Sequence, residues 1–265
     1  MSIASFVVNN LCVRIDLNAD VGESFGAYAL GNDAALMPSI TSANIAAGFH
    51  AGDPSVLRAT IRLARAHGVV IGAHPGFPDL AGFGRRELHV SPREAEDFIL
   101  YQIAAVAGVA AAEGAALAHV KAHGALFNMA ARDRPLADAL ARAVAAFDRS
   151  LRLFAPPDSE MASAARALGV PVAIEVFADR AYEPDGRLVS RQKTGAVIHD
   201  VDTVVARAIG LIADHTIVAQ DGSRIPVDAD TICIHGDTPG SDRLAVAVRA
   251  GLEAAGIAVK AVGAP

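Results

Sequence analysis

A chain of 265 residues with 52% hydrophobic content can bury a large core, and one domain over 1–265 is an ordinary size for an α/β barrel. The formal net charge of −6, with Lys and Arg scattered, provides no basic stripe for a phosphate backbone and argues against nucleic acid as a partner. Only two cysteines occur, Cys12 and Cys233, far apart in the chain, which excludes a disulfide framework and fits buried thiols in a reducing cytoplasm.

The N-terminal stretch MSIASFVVNNLCVR is interrupted by asparagines and meets its first basic residue only at Arg14, unlike a signal peptide. The first predicted strand is CVRIDLNA (12–19), the second SITSANI (39–45). A helix is predicted over 53–68, with Asp53 as N-cap, Pro54 in the first turn and Gly68 as the stop. VVIGAH (69–74) follows as a strand, then a helix over 91–114 with the capping-box pair Ser91 and Glu94. Its apolar run IAAVAGVAAA (103–112) stops at Glu113, about half of the roughly 20 residues a membrane span needs, so no membrane is expected. Strands LAHVKAH (117–123), LRLFAP (151–156) and PVAIEVFA (171–178) come next, with a helix over 158–169 between the last two. The polar stretch 178–198 is too long for an idle connection, and suits a lid or a partner contact. TIVAQDGSRIPV (216–227) carries Asp-Gly between two β-like arms and predicts a small β-hairpin insertion. The seventh strand is TICIHG (231–236), followed by a helix over 241–256. Strands alternating with helices predict βα units and a parallel sheet, and periodicity leaves open whether it closes.

In either case chemistry gathers beyond the carboxyl ends of the strands. Asp16, Asn18 and Asp20 in IDLNADVGES (15–24) share one strand parity, and with Glu23 they suit cation binding or a raised carboxyl pKa. Asn44 and His50 lie in ANIAAGFHAGD (43–53), where Asp53 is explained as well by helix capping as by catalysis. His74 ends the third strand before Pro75, and VKAHGALFN (120–128) supplies Lys121, His123 and Asn128. A lysine near the end of a buried strand needs an anionic partner, and Glu175, set among apolar residues, needs a cation or a raised pKa. His235 and Asp237 complete the seventh ending, whereas His67, His89, His119, His199 and His215 have no comparable setting and are expected to be structural or exposed. Phosphate-loop, dinucleotide, nucleophile-elbow and HExxH motifs are all missing. An inventory of carboxylates, imidazoles, an amine and amides suits activation of water for attack on an amide or ester-like carbon.

The blocks DLNADVGESFGAYALGND, SANIAAGFHAGDP, GAHPGFPDLAGFGRRE, VKAHGALFN, EVFADRAYEPDGRLVSR and ICIHGD together resemble the LamB/YcsF family, the A subunit of the bacterial 5-oxoprolinase. The resemblance implies a distorted seven-stranded parallel β/α barrel of the glycoside hydrolase/deacetylase type. It also implies hydrolysis of the small-molecule lactam 5-oxo-L-proline (pyroglutamate) to L-glutamate, coupled to conversion of ATP to ADP and phosphate, with Mg2+ accompanying the ATP and B and C subunits as partners. On that basis Asp20 and Glu175 are expected to share general acid and base work. Lys121 would stabilise oxyanion charge or hold the substrate carboxylate. His50, His74 and His235 would orient water or bind a metal, and Asn18, Asn44, His123, Asn128 and Asp237 would contact substrate.

A divalent metal remains open: Asp20, His50 and His74 are donor types for zinc or a similar ion, yet suit a metal-free hydrogen-bonded site equally. Arg85 and Arg86 in GFPDLAGFGRRE (76–87) are candidates for ATP phosphates, with the partner subunits as the other location for the nucleotide. Formation of a homo-oligomer is also open. The rival readings are a stand-alone metal-dependent carbohydrate or amide deacetylase and a non-catalytic subunit that presents a ligand.

Overall fold

The computed structural model describes residues 13–191, 193–234 and 240–264. Its elements run β1 (Arg14–Val21), α1 (Asp33–Leu36), β2 (Ser42–Ala46), α2 (Pro54–Ala66), β3 (Val70–His74), α3 (Pro92–Ala112), β4 (Leu117–Lys121), α4 (Gly124–Ala130) and α5 (Arg134–Phe147). They continue with β5 (Arg152–Ala155), α6 (Glu160–Ala167), β6 (Val172–Phe177), α7 (Val201–Ala213), β7 (Thr216–Val218), β8 (Arg224–Pro226), β9 (Thr231–Ile234), α8 (Ser241–Ala254) and β10 (Ala258–Val259). The sheet closes. β1 pairs in parallel with β2 on one side and β9 on the other, and β9 pairs with β6, giving the seven-stranded parallel barrel in the order β1-β2-β3-β4-β5-β6-β9. β10 extends the start of β1, and the antiparallel β7–β8 hairpin predicted around Asp221-Gly222 stands outside the barrel.

The strand residues divide cleanly by parity. Ile15, Leu17, Ala19 and Val21 of β1, with Ile45, Ala73, Val120, Leu153, Val176 and Ile232 of its neighbours, belong to the apolar core that also takes in Ile99, Ile103, Leu140 and Val144 of the surrounding helices. The alternate positions fill the bore with polar groups. Asp16 accepts hydrogen bonds from the hydroxyls of Thr41 (2.6 Å), Ser42 (2.7 Å) and Thr231 (2.5 Å). Burial raises the Asp16 carboxyl above its ordinary value, and those hydroxyls oppose the rise. Above it, His119 stacks on Phe154 with centroids 4.2 Å apart and bonds Asn44 Oδ1 through Nε2 at 2.8 Å. That ring occupies the space a side chain at position 72 would need, because a Cβ on Gly72 would lie 2.0 Å from His119 Nε2.

α2 begins as expected: Asp53 accepts from the backbone of Ser55 (2.7 Å) and Val56 (2.9 Å), and its second oxygen takes the amide of Gly26 (2.8 Å). The carboxylate is therefore engaged as a cap and a loop tie. α3 carries the predicted capping box, and although it is long and apolar enough to cross a bilayer, its buried side packs on β3, β4 and α5. Several boundaries differ from the expectation. The second strand starts only at Ser42 because Met37–Ser39 form a 3-10 turn, and the fourth ends at Lys121 because His123 is the N-cap of α4. Ser159, not Asp158, caps α6, and Gly240 precedes α8 in the left-handed region that a residue with a side chain avoids. Helices α4, α5 and α7 were not anticipated, although Asp133 and Asp200 cap the latter two in the usual way. Cys12, His235 and Asp237 lie outside the described residues.

Candidate active site

At the carboxyl end of the barrel the polar bore becomes a charged cluster around one ammonium. Lys121 Nζ, at the end of β4, lies 2.9 Å from Asp20 Oδ1, 3.0 Å from Glu175 Oε1, 3.3 Å from Asn18 Oδ1 and 2.8 Å from Cys233 Sγ. Asn18 donates to Glu175 Oε1 (3.0 Å) and to Thr231 (2.7 Å), while Asn44 donates to Asn18 Oδ1 (2.7 Å) and Asp20 Oδ1 (2.9 Å). Three strands thus contribute acceptors to a cation delivered by a fourth. Burial alone would depress the lysine pKa, but the acidic groups of Asp20, Cys233 and Glu175 beside it more than reverse this and hold it well above the ordinary value. Burial drives the Cys233 thiol well up despite Lys121, so a carboxylate, and not a thiolate, balances the ammonium. Burial likewise raises Glu175, against the opposing pull of Lys121, and its Oε2 has no hydrogen-bond partner among the described residues.

Beside this cluster stands a group of three imidazoles. His74 Nδ1 donates to the Lys121 carbonyl (2.8 Å) and His123 Nε2 to the Phe83 carbonyl (2.8 Å), which sets both rings. His74 Nε2 lies 3.0 Å from His123 Nδ1 and 3.4 Å from Asp20 Oδ2. His50 is stacked on His123 at 3.8 Å, is fully buried, and has Glu23 Oε1 3.5 Å from its Nε2. Burial, then the neighbouring imidazoles, push His50 and His123 well below the usual histidine range. Two glycines make room for this packing. A Cβ on Gly76 would meet His50 Nδ1 at 2.5 Å, and one on Gly84 would meet His50 Cβ at 2.7 Å. Gly76→Ala is accordingly expected to displace His50 and to lower stability by about 1–3 kcal/mol in urea unfolding, the usual result of overpacking a filled core.

These groups form one end of a cavity of about 990 Å³ whose floor includes Asp20, His74, Lys121 and Glu175. The long polar segment 178–198 roofs it. Short bridges Arg180–Val197 and Tyr182–Leu188 fold the segment on itself around the small cluster Ala181, Val189 and Ala196. Arg180 donates to the carbonyls of Ala196 (3.1 Å) and Val189 (2.6 Å), and burial with nearby Arg191 lowers its pKa to about 10. Tyr182 Oη accepts from the Phe177 amide at 2.8 Å, pinning the roof to the end of β6.

Of the residues singled out from the sequence, the structure brings together Asn18, Asp20, Asn44, His50, His74, Lys121, His123 and Glu175. Arg85 and Arg86 line the cavity rim, where Arg86 is clamped by Asp79 through short bonds, and Asn128 is exposed at the same rim. His119 is structural, with burial pushing its pKa down to about 3, and His67, His89, His199 and His215 are exposed. Of the expected metal donors, His50 and His74 stand in one group with Glu23 and His123, while Asp20 bonds Lys121 and Asn44 through Oδ1 and has Oδ2 3.4 Å from His74 Nε2. Sequence reasoning also missed Cys233 as a neighbour of Lys121 and Tyr182 as the anchor of the roof; neither residue type carries a local signal.

The sequence model of the LamB/YcsF family matches residues 15–265. A protein from Chloroflexus aggregans, named as the A subunit of 5-oxoprolinase, is 53% identical over 94% of this chain and 98% of its own. Another so named, from Thermococcus onnurineus, is 49% identical over 95% of this chain and 98% of its own. Among solved structures, the lactam utilization protein from Thermus thermophilus superposes with a TM-score of 0.90 at 47% identity, covering 94% of this chain and all of that one. By the extent of the family match and by these relatives, the chain belongs to the LamB/YcsF family.

Proposed function

We propose that this chain is the A subunit of an ATP-dependent 5-oxoprolinase, opening the lactam of 5-oxo-L-proline to L-glutamate together with B and C subunits. The names of the relatives support the substrate and the assembly. The observation that carries the chemistry is Lys121 held between the carboxylates of Asp20 and Glu175 at the closed end of the cavity. A five-membered lactam is a stable amide, and phosphorylation of its oxygen at the expense of ATP, with Mg2+ on the nucleotide, makes the ring carbon electrophilic. Asp20, whose Oδ1 lies 2.9 Å from the ammonium, takes a proton from water as the water oxygen bonds to that carbon. Glu175, whose burial favours the protonated form, gives its proton to the ring nitrogen as the C–N bond breaks, leaving the γ-carboxyl phosphate of glutamate, which a second water hydrolyses to L-glutamate and phosphate. Lys121 offsets the negative charge of the phosphoryl group carried by the attacked carbon's oxygen. Arg85, at the cavity rim, is the candidate for contact with phosphate, while Arg86 is engaged by Asp79.

Phosphate and glutamate release should be measured together on 5-oxo-L-proline and ATP, with and without the B and C subunits. The expected result is equimolar glutamate and phosphate only in the complete mixture. ATP-independent release of acetate from an N-acetyl substrate by the isolated chain would replace this reading with a deacetylase.

A further inference from the structure

The three imidazoles pose a problem of lone pairs. A carbonyl oxygen only accepts, so the ring proton of His74 sits on Nδ1, facing Lys121 O, and that of His123 sits on Nε2, facing Phe83 O. In neutral rings the remaining nitrogens, His74 Nε2 and His123 Nδ1, are bare, and they face each other at 3.0 Å. Two lone pairs at that separation repel unless positive charge lies between them. A shared proton would relieve this pair alone. His50, fully buried beside them, would still have two ring nitrogens without a hydrogen-bond partner among the described residues, a costly state for a polar group.

A cation would take up the facing lone pairs of His74 and His123 and one ring nitrogen of His50. The donor atoms of Glu23, His50, His74 and His123 all lie within 4.8 Å of one another. Glu23 Oε1 is 3.5 Å from His50 Nε2 and 3.6 Å from His123 Nδ1. A tetrahedral ion with bonds of about 2.0–2.1 Å has ligand-to-ligand edges of about 3.3–3.4 Å, so separations of 3.0, 3.5 and 3.6 Å bracket the requirement. The carbonyls behind His74 and His123 are the outer partners that commonly fix the tautomer of a metal-bound histidine. His50 is the one ring that must turn, since its plane is only 5° from that of His123 in the stack. We propose that Glu23, His50, His74 and His123 form a binding site for one divalent transition-metal ion of the zinc class. Three nitrogens and one carboxylate favour zinc, cobalt or nickel over magnesium or calcium, which prefer all-oxygen shells. The site touches the cavity floor through His74 and adjoins Asp20, whose Oδ2 is 3.4 Å from His74 Nε2.

The test uses the full chain purified without a polyhistidine tag, stripped with chelator and titrated with Zn2+ and Co2+ by calorimetry and visible absorption. The expected result is one ion per chain with a Kd below about 1 µM, together with the intense visible bands of four-coordinate Co2+. H74Q and H123Q should each weaken binding at least tenfold, and H215Q, at an exposed histidine, should leave it unchanged. Absence of Zn2+ uptake by the folded protein would overturn the proposal, as would uptake that H74Q and H123Q leave intact. If those variants do not fold, the native protein's Co2+ spectrum decides, weak octahedral bands counting against the site. Ion binding is read without substrate, so its failure would leave the lactam reading standing, and the reverse holds too.

Discussion

Lys121→Met is expected to abolish glutamate release by the complete enzyme and to destabilise the fold most strongly near neutral pH. The variant keeps roughly the volume of the side chain but leaves Asp20 and Glu175, both buried, without the ammonium that lies 2.9 and 3.0 Å from them. Removing one partner from a buried ion pair typically costs about 3–5 kcal/mol. The pH dependence has a definite sign. Burial already raises the Glu175 carboxyl in the folded state, and losing Lys121, which opposes that rise, moves it further. A carboxyl whose folded value exceeds its unfolded value holds a proton that the unfolded chain has released, so stability falls as pH climbs through the interval between the two. The deficit of the variant in urea unfolding should therefore shrink from pH 7 towards pH 5. Adding Glu175→Gln to Lys121→Met should recover part of it. A deficit independent of pH, with no recovery in the double variant, would show that the ammonium is not what stabilises these carboxylates.

Asp20→Asn should have the opposite profile, with little change in stability and a large loss of turnover. The amide oxygen still accepts from Lys121 and Asn44, which both bond Oδ1 now, and Lys121 keeps Glu175 as its counter-charge. What disappears is the capacity to take a proton from water, an effect worth about 10²- to 10⁴-fold in rate. Steady-state glutamate release by the reconstituted complex, together with a thermal melt of the variant, separates the two effects. Near-native turnover would remove Asp20 from the role of base.

Much of this site was legible because the strands of the barrel do not read as ordinary buried strands. A strand covered on both faces is normally apolar throughout, yet IDLNADV alternates Ile, Leu, Ala and Val with Asp16, Asn18 and Asp20, and the structure sends the second set into the bore. The same alternation in LAHVK sets His119 with Lys121, although sequence reasoning assigns His119 no part in the site, and His123 continues the parity on paper while the chain has already turned into α4. The regrouping of Glu23 with the histidines was not readable either. Gly22, in the left-handed region with φ of 71°, redirects the chain just after β1, and no strand periodicity survives such a turn. Helices α5 and α7 carried ordinary caps, but strand-by-strand reading gave them no chemistry to announce themselves.

The His119–Phe154 stack seated over Gly72, with the hydroxyl-bound Asp16 below, has a bearing on molecular traffic. Beneath Lys121 the barrel is plugged, so it is a cul-de-sac and not a tunnel. The cavity above it therefore opens only towards the carboxyl ends of the strands, among the described residues, on the side of the 178–198 segment.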